Sequence, residues 1–197
     1  GGANGNCNLD IAPTVNGITV NGYGGTIDLL GFTLTTTGTN TFTSGTIANT
    51  GGSASVALNT AGTTTFNGAT LGADVTGSTG RIFFNGSTFN GTVTVTKSGT
   101  GNDNSTGNNI FNGVTTITNN SDSQIMLGNG NPDQFNAATT FNNNGTYRFH
   151  FAQNHNGFTT TFTDLTLNSN KSGGTDQWSF FAGEGTNTSF TVSGNLT

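Results

Sequence analysis

The stretch Thr88-Phe89-Asn90-Gly91-Thr92-Val93-Thr94-Val95-Thr96 decides the fold, because the chain keeps rewriting it. Phe-Asn-Gly stands at Phe66-Asn67-Gly68, Phe89-Asn90-Gly91 and Phe111-Asn112-Gly113, with Phe135-Asn136-Ala137 a near copy. Looser copies begin at Phe42, Phe158 and Phe190, and Ile18-Thr19-Val20-Asn21-Gly22 opens one more. The markers at 18, 42, 66, 89, 111, 135, 158 and 190 lie 24, 24, 23, 22, 24, 23 and 32 residues apart. A period of this size belongs to solenoids, in which one unit cannot bury its apolar face alone.

Each unit holds a Phe-led, Thr-rich run and, about 14–16 residues after the Phe, a short apolar run. The second runs include Val56-Ala57-Leu58, Ile82-Phe83-Phe84, Ile125-Met126-Leu127, Phe149-His150-Phe151 and Trp178-Ser179-Phe180-Phe181. Clusters such as Asn119-Asn120-Ser121-Asp122 separate them, so a unit reads strand, turn, strand, turn. Helix is excluded by the lack of a 3.6-residue apolar period and of helix formers: Glu occurs once and Lys twice.

In the opening stretch Phe89, Val93 and Val95 share one parity and Thr92, Thr94 and Thr96 the other, giving each strand a dry and a wet face. Units stacked about 4.8 Å apart pair their backbones. The expected fold is all-β: a single-stranded right-handed parallel β-helix of about seven coils of ~23 residues. Residues 1–17 form an irregular first strand or cap and 18–197 the repeats. Phe42, Phe66, Phe89, Phe111, Phe135, Phe158 and Phe190 are expected in one internal column with aromatic contacts. The following Asn67, Asn90, Asn112 and Asn136 read either as an amide ladder or as turn residues that tolerate positive φ.

Along the chain, Thr26 to Leu34, the most apolar run, is expected as one strand, and Gly99 to Asn109 as a mobile loop replacing an apolar run. Ser169 to Asp176 is expected as a second exposed loop. Cys7, the single cysteine, reads as a buried free thiol, and no internal disulfide can form. The chain opens Gly1-Gly2-Ala3 and stops eight residues into the unit at Phe190, which suggests a piece of a longer polypeptide or an end covered by another copy.

Composition narrows the function. Leu, Ile, Val and Phe total 42 of 197 residues, low for a round core and adequate for a narrow one. Charged residues are 7 % and Phe numbers 16, which opposes disorder. A net charge of −5 with four Lys and Arg disfavours nucleic acid and anionic membranes. No apolar run is long enough for a membrane helix.

Catalysis on a β-helix needs acids converging from adjacent coils. Asp74, Asp103, Asp122, Asp133 and Asp164 fall at +8, +14, +11, +22 and +6 from their unit Phe, so no two share a column. Arg81, Lys97, Arg148 and Lys171 are equally scattered. No catalytic residue, metal ligand set or cofactor is expected. His150, between Phe149 and Phe151, is expected to face outward. Tyr147, Arg148 and Trp178 are the candidates for ligand binding: Tyr147 and Trp178 by stacking on sugar rings, Arg148 as the other half of a patch with Tyr147; in its Phe-rich strand Trp178 reads rather as core.

The unit Phe-Asn-Gly-(x)-Thr-x-Thr/Ile-x-Thr, carried best by Phe111 to Asn136 with Ile125-Met126-Leu127-Gly128-Asn129-Gly130-Asn131-Pro132-Asp133, resembles repeats of very large secreted surface proteins of Bacteroidota. The opening Asn6-Cys7-Asn8-Leu9-Asp10 followed by Ile18-Thr19-Val20 is similar to the start of such an array. The resemblance implies secretion, often through the type IX system, display at the cell surface, and adhesive or filament-forming work. The partners expected are further repeats or other copies stacked end to end, and glycans or surfaces, with no nucleic acid and no membrane insertion. The rival readings are a carbohydrate-binding module and, from outward Thr rows such as Thr94/Thr96 and Thr116/Thr118, an ice-binding one.

Overall fold

A computed structural model describes residues 5–152, 159–171, 179–181 and 189–197. Among them there is no helix, and every strand pairing is parallel, joining one coil to the next. The protein is a β-solenoid. One inward column runs through Ile27, Ile47, Leu71, Phe89, Phe111, Phe135 and Phe162, each the register partner of the next. The coils between these partners differ in length, so the repeat is regular in space and uneven along the chain.

Each coil contributes three strands rather than the two expected. The first face is a nine-stranded sheet of short strands such as Thr88–Phe89 and Ile110–Phe111. The second is an eight-stranded sheet with longer strands such as Val93–Lys97 and Thr115–Asn119. The third is split into two four-stranded sheets, one of Ile18–Val20, Asn40–Phe42, Thr63–Asn67 and Arg81–Asn85, the other of Asp103–Asn104, Ile125–Met126, Phe149–His150 and Phe180–Phe181. Gly/Asn clusters bend the chain between faces, where a side chain would strike the coil below. A Cβ on Gly80, for example, would lie 2.0 Å from the Ala61 carbonyl oxygen.

The Phe residues form two columns, not one. Val20, Phe42, Phe66 and Phe84 stack on the third face, with ring centroids 5.1 Å apart for Phe42–Phe66 and 5.9 Å for Phe66–Phe84. Phe89, Phe111, Phe135 and Phe162 stack on the first, at 4.8, 4.6 and 4.7 Å and within 7° of parallel. The columns meet edge to face across the core: Phe66–Phe89 are 5.2 Å apart at 81°. The sequence period therefore steps from one column to the other between Phe66 and Phe89. The coil there is a short one: Phe66 pairs with Phe84, and Leu71 with Phe89. Near the far end Phe162, not Phe158, holds the column; Phe158 lies outside the described residues. Val192 follows Phe162, while Phe190 pairs with Thr160 and packs edge-on against Phe151.

Three further expectations are corrected. Thr26 to Leu34 is two strands, Thr26–Asp28 and Leu34–Thr36, separated by a turn in which Leu30 and Gly31 take φ of 49° and 88°. No face is wide enough for the whole run: the longest described strand, Asp74–Thr79, has 6 residues. Cys7 is exposed, because its strand is the edge of the first face. Residues 99–109 follow the solenoid wall: Asp103, Ser105, Gly107 and Asn109 point inward in alternation with exposed Asn102, Asn104, Thr106 and Asn108. The period-2 rule holds there although the inward residues are polar.

Candidate functional site: an outer hydroxyl and amide face over an inner polar ladder

The second face presents two outward rows. One runs Thr14, Thr35, Ala57, Thr76, Thr94, Thr116, Thr140, Thr166, and the other Asn59, Ser78, Thr96, Thr118, Asn142, Asn168. Inward parity belongs to Val56, Val75, Val93 and Val95, all buried, so backbone alternation fixes the hydroxyls outside. Neighbouring coils set the repeat within a row at about 4.8 Å. β-Branched Thr suits this position sterically and keeps χ1 fixed, which makes the rows regular.

Amide ladders run alongside. After the first face, Asn136 Nδ2 donates to Asn112 Oδ1 and Asn112 Nδ2 to Asn90 Oδ1, both at 2.8 Å. This ladder is on the outside, one residue past each Phe. Asn67 is not part of it; it sits on the third face, paired with Asn85. A second ladder at the end of the second face joins Asn170, Asn144 and Asn120, at 3.0 and 2.8 Å. A third links Asn168 to Asn142 at 2.9 Å and Asn142 to Thr118 at 3.1 Å. An amide inside a row, as at Asn112, Asn144 and Asn142, spends one N–H and one oxygen lone pair along it, which leaves its second N–H and lone pair for solvent or a ligand.

Of the ligand-binding candidates, Tyr147 and Arg148 are half-buried, and the Arg148 guanidinium lies 5.8 Å from the Tyr147 ring centre. They follow Asn144, and Thr146 Oγ1 ties their turn to Asp122 at 2.8 Å. Trp178 lies outside the described residues. His150 is buried with Phe149, contrary to the outward placement expected. His150 pairs in register with Met126, and both residues of the strand Phe149–His150 are buried, so the strict alternation behind that expectation does not hold there.

Sequence reasoning missed the interior polar groups. Lys97 Nζ lies 3.0 Å from Asp103 Oδ2, and both side chains are 0 % exposed. Arg81 Nε donates to Asp103 Oδ1 at 2.8 Å, and the Ile82 N–H to Oδ2 at 2.8 Å. Lys97 Nζ also donates to the Gly101 carbonyl at 2.6 Å. Burial pulls the Lys97 pKa down, and the Asp103 carboxylate acts against that. The signal was present in the sequence: Lys97 shares the inward parity of Val93 and Val95. Lys97 lies in an inner corner column that runs from Thr79 through Lys97 to Asn119 and Asn143, the last two joined at 3.3 Å.

A second inner column caps backbone groups at the corner before the first face. Ser87 Oγ accepts the Ala69 N–H at 3.2 Å, and Asn109 Oδ1 the Ser87 N–H at 2.9 Å. Asp133 Oδ1 accepts both the Asn109 N–H and Nδ2, at 2.9 and 2.8 Å, and Thr160 Oγ1 the Asp133 N–H at 3.2 Å. Asp133 Oδ2 has no hydrogen bond among the described residues. Burial pushes the Asp133 carboxyl up to about 7, against the two Asn109 bonds. Other acids likewise serve the backbone: Asp28 accepts from the Thr50 hydroxyl and N–H and the Leu30 N–H, which hold its pKa down. Asp74 accepts the Thr92 N–H and Asp164 the Asn195 N–H.

Among the described residues no three His, Cys, Asp or Glu side chains gather as a metal site. A 320 Å³ cleft beside the first coil is lined by Cys7, Ile18, Val20, Tyr23 and Ile27. Comparison with protein-family models, curated proteins and solved structures returned no match.

Proposed function

We propose that this chain is a structural segment of a secreted bacterial surface protein, a stiff β-solenoid stalk or filament with adhesive duty and no catalytic role. The supporting observation is the uninterrupted first face: nine strands in chain order, backed by a Phe stack whose rings lie within 7° of parallel. Every coil then depends on its neighbours, and load along the axis is shared among parallel ladders. The charge of −5 and scarcity of Lys and Arg suit neutral surfaces and other copies of the same fold as partners. The residence is extracellular, at the cell surface, and further repeats stack on the ends.

Intact-mass measurement of the native polypeptide, with electron micrographs of the same preparation, tests this. A mass far above 20.0 kDa, or long rods, supports the stalk; a short native chain that stays monomeric overturns it. A second reading is favoured by the two outward rows of the second face. They form an array of hydroxyls and amides, broken in one row by Ala57, that would suit a polysaccharide chain or, less directly, ice, with Tyr147 and Arg148 at its margin. Loss of glycan binding in Tyr147→Ala, or of thermal hysteresis in Thr96→Lys, would favour that reading; a stalk is indifferent to both.

A further inference from the structure

The sequence holds ten Asn-Gly steps. In such a step the glycine backbone nitrogen can attack the Asn side-chain carbonyl carbon. The N–Cγ bond forms and the Cγ–Nδ2 bond breaks. The glycine amide proton leaves with the amide nitrogen as ammonia, and water then opens the resulting succinimide to aspartate or isoaspartate. No co-reactant other than water is needed. Two conditions control the step: the glycine N–H must be free to lose its proton, and a donor on Asn Oδ1 stabilises the oxyanion that forms there.

The solenoid sorts the steps by these conditions. Four glycine N–H groups are held in the coil-to-coil ladder: Gly68 on Asn85 O at 2.9 Å, Gly86 on Gly107 O at 2.9 Å, Gly91 on Leu71 O at 3.4 Å and Gly145 on Asn119 O at 3.1 Å. Like Gly130, Gly22 and Gly113 have no such acceptor among the described residues. The Asn before each of these two carries a donor on Oδ1: Thr43 Oγ1 at 2.9 Å for Asn21, and Asn136 Nδ2 at 2.8 Å for Asn112. Among the described residues Asn16–Gly17 is also without a bond to the glycine N–H, but no donor to Asn16 Oδ1 accompanies it. Gly22 has open space around it, whereas Gly113 stacks on the Gly91 carbonyl, so the Asn21 step is the less confined.

We propose that Asn21–Gly22 and Asn112–Gly113 are self-modifying sites, converting to aspartate and isoaspartate with Asn21 the faster, while the steps at Asn67, Asn85, Asn90 and Asn144 are protected by the fold. Conversion at Asn112 puts a carboxylate oxygen where Nδ2 donated to Asn90, so it cuts the outer amide ladder and adds a negative charge to it. The inference does not depend on the stalk reading.

The test is peptide mapping by mass spectrometry of the full chain aged in mildly alkaline buffer, folded and in denaturant. A gain of about 1 Da marks each converted site. The expected folded result is conversion at Asn21 and then Asn112, with the four protected sites many-fold slower than in denaturant. Equal rates at all six folded sites, or no conversion at Asn21 and Asn112, would overturn the proposal. In Thr43→Val the Asn21 rate is expected to fall several-fold with Asn112 unchanged; an unaltered Asn21 rate removes the donor from the mechanism and overturns that assignment.

Discussion

The third face is built in two different ways along its length. In its first part, strands of three to five residues pair through backbone in register from Ile18 to Asn85. In its second part the strands from Asp103 to Phe181 are two residues long. Between the parts a single bridge, Asn85 to Gly107, remains. There side chains replace the backbone ladder: the Ile82 N–H finds Asp103, and the Phe84 N–H finds Ser105 Oγ at 3.0 Å. A backbone ladder tolerates many sequences, because every residue carries the same donor and acceptor. A side-chain seam does not, and it requires a counter-charge once the acceptor is a buried carboxylate.

The largest effect is therefore expected at the seam. Asp103→Ala leaves Lys97 buried without its carboxylate and the Ile82 N–H unpaired, a loss of about 3–5 kcal/mol in urea unfolding. A Lys97→Met/Asp103→Ala double variant should recover part of it. Strict additivity would show that the pair is not coupled.

Asp133, on the inner column beyond the seam, should make stability depend on pH. Its folded pKa is raised from 3.8 to about 7. The folded state thus keeps a proton that the unfolded state releases, and this contribution falls as pH rises from about 4 to about 7, then levels off. The change is on the order of a few kcal/mol, at about 1.4 per pKa unit. Melting curves across that window should flatten in Asp133→Asn; an unchanged slope would assign the dependence elsewhere.

On the second face, Gly77 takes φ of 104°, and a Cβ there would lie 2.1 Å from the Leu58 carbonyl oxygen. Gly77→Ala should cost about 1–3 kcal/mol by the same unfolding assay, despite adding only a methyl group. The smallest effect belongs to the exposed amide row: Asn112→Ala is expected within about 0.5 kcal/mol of the parent, as for other surface changes. A larger loss there would mean that the outer ladders help hold the coils together, which would narrow the contrast between inner and outer polar rows.

The legible part of the molecule was the part that repeats. Thr92, Thr94 and Thr96 against Val93 and Val95 gave strand, face and stacking at once. The repeat of the Phe markers was legible too, but it merged two columns, because Phe66 and Phe89 face each other across a narrow core and either can serve as marker. The inner ion cluster was hidden for a different reason. Lys97 shares the parity of Val95, yet a charge at an apolar position is ordinarily read as a break in the strand. Its partner Asp103 falls in a segment with the composition of a loop.

By itself the sequence determined that the chain is all-β, that it coils, and which parity is dry in the Thr-rich strands of the second face. Those properties follow from local alternation and from a repeat that cannot bury itself alone. Only the tertiary structure decided that a coil has three faces, which Phe follows which, and that Asp103, Lys97 and Arg81 meet. Those depend on where each coil turns. A short coil, such as the one that brings Leu71 to Phe89, beside a longer one, such as that from Phe111 to Phe135, shifts every later neighbour without changing the local pattern.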